Sequence, residues 1–287
     1  MRFSKGLTLL FGILTAVVSA GEDQSAASKP IRVGVLSSAE TPGPNTSQGL
    51  YIKILKQAGM DAGAVSAQRV KEGALDELDI FIIGGGSATA FNKALGPDGG
   101  EKVENFVKAG GGVLASCAGG YSFVRGHTEA LRYIEIANAV CIDTENGRWA
   151  RGSGTVSIAP ATEGAAPLKM FYANGPLWKI TDAPGFGRTE ALASFETDVK
   201  RKGDEGGIMP GTPAILAGTF GDGRYVLFSA HPEFKWKMGN TPMIVDAARW
   251  VVKGKLGAEE KISYEVVFPS MLKKSGEATE TSTSGIK

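Results

Sequence analysis

Histidine and cysteine are scarce in this chain. Two of each occur in 287 residues: His127, His231, Cys117 and Cys141. No Cys/His cluster has the spacing of a zinc site, so no metal is expected. An excess of one charge is also missing. Lys and Arg number 31 against 30 Asp and Glu, and the net +1 argues against the strongly basic face that nucleic acid selects. The glycine-rich turns match neither a phosphate loop nor a dinucleotide fingerprint, and no cofactor is expected. The apolar run Leu7 to Val18 is too short to span a bilayer comfortably.

What is present around that run has a different meaning. Arg2 and Lys5 precede it, and the small residues Val18-Ser19-Ala20 follow it. The pattern predicts a secretion signal over 1–20, cleaved after Ala20, then a small-residue and polar linker over 21–29. The alternative is an uncleaved signal anchor. After cleavage no stable membrane anchor is expected, and the protein would be exported to a periplasm or outside the cell. Two cysteines in such a compartment also permit a disulfide.

The remainder reads as one α/β domain over 30–269, followed by a Ser/Thr/Gly/Lys-rich tail over 270–287 expected to be disordered. Ile31 to Leu36, Asp79 to Ile83 and Gly112 to Ser116 are compact apolar runs, the signature of buried strands. Gly49 to Met60 and Glu101 to Ala109 have helical spacing between them. This alternation predicts a flavodoxin-like, mainly parallel sheet with helices on both faces. After about Ala139 the pattern changes to shorter strands and hairpins over Cys141 to Pro160, Leu168 to Ile180 and Ala191 to Phe195. Ala214 to Thr219 and Arg224 to Ser229 flank Gly221-Asp222-Gly223 as a hairpin. Pro242 to Lys253 reads as a closing helix, and Tyr264 to Phe268 as an edge strand.

Three pieces could carry chemistry. In Ala115-Ser116-Cys117-Ala118-Gly119-Gly120 a buried strand runs into a cysteine and then into small residues opening a helix. A nucleophile on a sharp strand-to-helix turn needs small neighbours two positions away on each side, and Ala115 and Gly119 supply them. The helix start would favour the thiolate of Cys117, and the Ala118 N–H is one natural oxyanion donor. Gly84-Gly85-Gly86 ends the preceding strand. In an adjacent parallel strand it would lie at the same carboxyl edge, with Gly85 or Gly86 as the second donor; its plainer reading is a tight turn. The third piece is Ser229-Ala230-His231-Pro232-Glu233. His231 could take the thiol proton, and Glu233 could hold the imidazole by its second N–H; the plainer reading is a chance pair.

Other residues have simpler explanations beside a functional one. Tyr172 and Asn174 could bind substrate, although Asn174-Gly175 also suits a hairpin turn. His127 defaults to a surface or capping role. Trp178, Trp236 and Trp250 read as core or rim aromatics. Lys200 to Lys202, with Asp204 and Glu205, reads as a solvated loop. A disulfide between Cys117 and Cys141 is disfavoured, because a cysteine on an elbow is poorly placed to reach the next strand.

A strand ending in Gly-Gly, a small-x-Cys-x-Gly elbow and a late His-Pro-Glu together resemble the class I glutamine amidotransferase-like superfamily. The segments GGGVLASCAGGYSF (110–123), FYANGPLW (171–178) and GDGRYVLFSAHPEF (221–234) are most similar to the biotin-protein ligase N-terminal domain family within it. The likeness covers Ile31 to Gly257. It implies a flavodoxin-like sheet with Cys117, His231 and Glu233 as a triad. Ala115 departs from the glycine that amidotransferases usually carry there. The chain shows no synthetase and no biotin ligase catalytic segment to accept ammonia or biotin, so the expected chemistry is hydrolysis of an amide, peptide or ester. The expected partner is a small-molecule or peptide substrate; the alternative function is a non-catalytic binding module on the same fold. Oligomeric state is not readable from the chain.

Overall fold

The computed structural model describes Met1 and residues 29–126, 134–144, 147–234, 238 and 240–272. The expected signal segment, His127, Trp236 and the tail from 273 onward lie outside the described residues.

The chain runs β1 (Arg32–Leu36), α1 (Ser47–Gln57), β2 (Asp61–Val65), α2 (Ala67–Lys71), β3 (Ile80–Ile83), α3 (Ala88–Lys108), β4 (Gly112–Ser116) and α4 (Ala118–Ser122). It continues through β5 (Ala139–Cys141), β6 (Ser153–Pro160), β7 (Leu168–Ala173), β8 (Trp178–Ile180), β9 (Thr189–Phe195), β10 (Pro213–Phe220) and β11 (Gly223–Phe228). It closes with α5 (Thr241–Val251) and α6 (Tyr264–Val267). Nine strands form one sheet in the order β2-β1-β3-β4-β11-β10-β9-β6-β7, while β5 and β8 pair separately. The pairings from β2 to β11 are parallel, and those from β11 to β7 are antiparallel hairpin additions. This is the expected α/β, flavodoxin-like class.

Strand alternation divides the core in two. Val33, Val35, Ile80, Ile82, Leu114, Val226 and Phe228 point to the face covered by α1, α5 and α6. Phe81, Ile83, Val113, Ala115, Tyr225 and Leu227 point to the face covered by α3 and α4. Because successive side chains alternate faces, a strand buried on both must be apolar throughout, and β3 and β4 are buried at every position. Trp178 and Trp250 are core residues, as expected.

Several expectations require correction. Tyr264 to Phe268 is a helical turn rather than an edge strand. Tyr264 and Phe268 are both buried, with ring centroids 5.2 Å apart, while Val266 is exposed. That spacing follows a helical period, and the β-branched pair Val266-Val267 obscured it. The helix expected at Glu101 begins at Ala88; Gly96 interrupts it with φ 62° and ψ −174°, just before Pro97. Strand β2, DAGAV, has no counterpart among the expected strands, because alanine and glycine carry little strand signal. Ser270 belongs to the folded domain: its N–H and hydroxyl both donate to Asp246, at 2.8 and 2.5 Å.

Candidate active site

The three pieces singled out in the sequence leave the carboxyl ends of three neighbouring parallel strands, β3, β4 and β11. Cys117 follows β4 and adopts φ 49° and ψ −112°. A non-glycine residue held at positive φ costs about 1–3 kcal/mol and persists only where the surroundings enforce it. Here the Cys117 N–H donates to Phe228 O at 2.9 Å, and Gly120 N–H donates back to Cys117 O at 2.9 Å. Gly119 lies so close to β3 that any Cβ would collide with the Ile83 carbonyl, and its N–H donates to Gly84 O at 3.1 Å. The small residue after the elbow is therefore a packing requirement.

The His231 imidazole is buried and reaches both partners. Its Nδ1 lies 2.8 Å from Glu233 Oε1, and the Cys117 side chain is close enough to favour the charged imidazole. With Nδ1 committed to the carboxylate, Nε2 is left for the thiol. Burial alone would push the imidazole down. The Glu233 carboxylate and the contact with Cys117 more than offset it, and His231 is raised from 6.5 to about 10. Glu233 is fully buried. Its Oε1 also accepts the hydroxyls of Ser47, at 2.5 Å, and Ser116, at 3.0 Å. The ring's position is reinforced by His231 N–H, which donates to Phe171 O at 2.8 Å, and by Phe234 at 4.8 Å between centroids.

The oxyanion assignment divides. Gly85 N–H is taken: it donates to Ser47 Oγ at 2.7 Å, so it is not an oxyanion donor as the sequence allowed. Gly86 and Ala118 both line the cavity that holds Cys117, and their N–H groups are the candidates that remain. Gln48 Nε2 donates to Gly85 O at 2.9 Å. In a trans peptide the carbonyl and the following N–H point in opposite directions, so this bond also sets where Gly86 N–H points.

That cavity measures about 360 Å³ and is lined in part by Thr89, Tyr121, Thr144, Trp149 and Asn174. Trp149 is 46% exposed at its edge. Larger hollows, of about 780 and 1090 Å³, lie away from Cys117, around Ser37–Arg69 and along Lys29–Asp79. Neither contains a nucleophile beside a base. Asn174 has φ 52° and lines the cavity, but Asn174-Gly175 is not the hairpin turn that the sequence allowed, since β7 pairs with β6 and β8 with β5. Tyr172 does not line it. It is fully buried, and its hydroxyl donates to Gly175 O at 2.7 Å and accepts from Arg151 Nε at 2.9 Å. Arg151 in turn pairs with Asp143 at 2.7 Å, both nearly inaccessible, and Tyr121 donates to the same Asp143 oxygen at 3.2 Å. This buried network, which no spacing signal announces, anchors the chain behind the cavity.

Cys117 and Cys141 are both free thiols, so the disulfide alternative does not hold. The Cys117 thiol also donates to Ala173 O at 3.1 Å. No group of three or more potential metal ligands occurs among the described residues, nor does any described helix have the length and apolarity to cross a membrane.

Among solved structures the chain resembles a cytoplasmic protein of Salmonella typhimurium, at TM-score 0.50. The identity is 11%, over 79% of this chain and all of that one. A ThuA-like protein of Bacteroides uniformis matches at 15% identity over 80% of this chain and 95% of that one, with TM-score 0.46. A β-galactosidase of Bacillus circulans matches at 14% identity and TM-score 0.44, over 70% of this chain but only 28% of the enzyme. At such identities the likeness is one of fold alone. No protein-family model matches the chain, and no curated protein does.

Proposed function

We propose that this protein is a cysteine-dependent hydrolase of the class I glutamine amidotransferase-like type, acting on an amide, peptide or ester carbonyl. The observation that carries the reading is the gathering of Cys117, at positive φ on its elbow, and the His231–Glu233 pair, bonded at 2.8 Å, at the carboxyl ends of the adjacent strands β4 and β11. Cys117 reacts as a thiolate whose proton resides on His231 Nε2, and its Sγ attacks the carbonyl carbon. The N–H groups of Gly86 and Ala118 hold the oxyanion. Collapse expels the amine or alcohol, which takes its proton from the imidazolium, and leaves a thioester on Cys117. Water, deprotonated by His231, then hydrolyses the thioester. The cavity of about 360 Å³ suits a small acyl group. The apolar run and cleavage-site pattern of residues 1–20 support export, to a periplasm or outside the cell.

A second reading is a non-catalytic binding module. It is favoured by the 3.1 Å hydrogen bond from the Cys117 thiol to Ala173 O, a contact only the protonated thiol can make. Incubation with p-nitrophenyl acetate, amides and short peptides, followed by intact-mass and peptide mapping, separates the two. Acyl transfer to Cys117 with turnover, absent in Cys117→Ala, supports the hydrolase. Saturable ligand binding with no acylation of Cys117 supports the binding module.

A further inference from the structure

Glu233 presents its two oxygens unequally. Oε1 receives three donors, from His231, Ser47 and Ser116, whereas the buried Oε2 has no hydrogen-bond partner among the described residues. The carboxylate that orients the base is therefore anchored through one atom. Of its two hydroxyl partners, Ser116 immediately precedes the nucleophile on β4. Ser47 comes from a distant part of the chain, the first turn of α1. Thr46 fixes that turn by accepting Gly49 N–H at 3.1 Å and donating to Gly43 O at 2.7 Å.

Ser47 makes a second bond that Ser116 does not. Its oxygen accepts Gly85 N–H at 2.7 Å while its hydrogen goes to Glu233 at 2.5 Å. The loop is shaped around it: a Cβ at Gly84 would lie 2.5 Å from Ser47 Oγ. Gly85, whose N–H Ser47 holds, sits under the imidazole. One buried hydroxyl thus joins the carboxylate to the loop that carries Gly86.

We infer that Ser47 is a positioning residue for the Cys117–His231–Glu233 site, holding the Glu233 carboxylate and the Gly84–Gly86 loop in register through a single hydroxyl. The inference rests on the triad reading above. Ser47 touches neither the thiol nor the cavity, so it acts through Glu233 and the loop. The other titratable groups acting on Glu233 and His231 are Cys117 on the elbow and Tyr51, one α1 turn beyond Ser47, which is fully buried and held neutral. Losing the Ser47 hydroxyl removes a charge-assisted donor from Glu233 and leaves a buried N–H unpaired. The carboxylate then supports the imidazolium less well, and the thiol gives up its proton less readily.

The test is the pH dependence of iodoacetamide alkylation at Cys117, read by peptide mapping on the full chain. Wild type, Ser47→Ala, Ser47→Thr, Gly84→Ala and His231→Ala are compared. Ser47→Ala should slow alkylation at pH 7 by about tenfold and move the rise in rate to higher pH. Ser47→Thr, which keeps the hydroxyl, should recover most of the rate. Gly84→Ala, which displaces the hydroxyl without removing it, should behave like Ser47→Ala, and far-ultraviolet circular dichroism matching wild type in both variants excludes a mere folding defect. A Ser47→Ala profile superimposable on wild type, while His231→Ala is slowed, would overturn the role of Ser47 and leave the triad standing. A His231→Ala profile that also matches wild type would overturn the triad, and the role of Ser47 with it.

Discussion

Gly85 lies directly beneath the imidazole of His231: a Cβ placed on Gly85 would fall 2.5 Å from His231 Cε1. The ring cannot readily move aside, because Nδ1 is held by Glu233 and the backbone N–H by Phe171. Gly85→Ala should therefore tilt the imidazole away from Cys117 while leaving the core intact. Alkylation of Cys117 at pH 7 should fall by about tenfold or more, with an unchanged far-ultraviolet circular dichroism spectrum.

Gln48 offers a separation of two chemistries. Its amide holds the Gly85 carbonyl and so orients Gly86 N–H. Displacement of iodide from iodoacetamide builds no oxyanion, whereas acyl transfer does. Gln48→Ala should slow acylation of Cys117 by p-nitrophenyl acetate by about tenfold, below the full loss of an oxyanion donor. Its alkylation by iodoacetamide should match wild type. Parallel time courses on the same preparation check this.

The His231–Glu233 pair should give stability a defined pH dependence. His231 is raised in the folded protein from 6.5 to about 10, because Glu233 and Cys117 outweigh the burial that opposes its charge. A raised histidine binds its proton more tightly folded than unfolded. Its contribution is thus complete below about pH 6.5 and is lost as pH rises toward 10. Urea unfolding of wild type and His231→Gln should show a stability difference that is flat in acid and shrinks through the alkaline range.

Arg151 and Asp143 form a buried pair behind the cavity. Burial raises the Asp143 carboxyl, and Arg151 opposes that rise. Arg151→Met would strand an uncompensated buried carboxylate and should cost about 3–5 kcal/mol at pH 7. The loss should be smaller in acid, where Asp143 takes up a proton. Asp143→Asn combined with Arg151→Met should recover part of it, as a double-mutant cycle by urea unfolding would show.

Much of this arrangement was legible in the residues, and for identifiable reasons. The elbow announces itself locally, since Ala115, Cys117 and Gly119 must sit close to one another for the turn to close. The apolar runs of β3, β4 and β11 need burial on both faces and can hardly be anything but central strands. What escaped notice depends on contacts between distant positions. Ser47 closes the polar Gly/Pro stretch Ser37 to Ser47, ahead of the helical spacing that starts at Gly49, yet its partner Glu233 lies 186 positions away. Nothing in the spacing of Arg151 and Asp143 marks them as partners, and only the fold buries them together. Gly85 and Gly86 were indistinguishable in the sequence; the hydroxyl of Ser47, by taking Gly85 N–H, tells them apart.

The most direct test of the triad is the rate of Cys117 alkylation across pH in the unreduced protein, wild type against His231→Ala. The account predicts fast reaction at Cys117 near neutral pH and a loss of about tenfold or more on removing the imidazole. A wild-type thiol that reacts no faster than His231→Ala at any pH would contradict it.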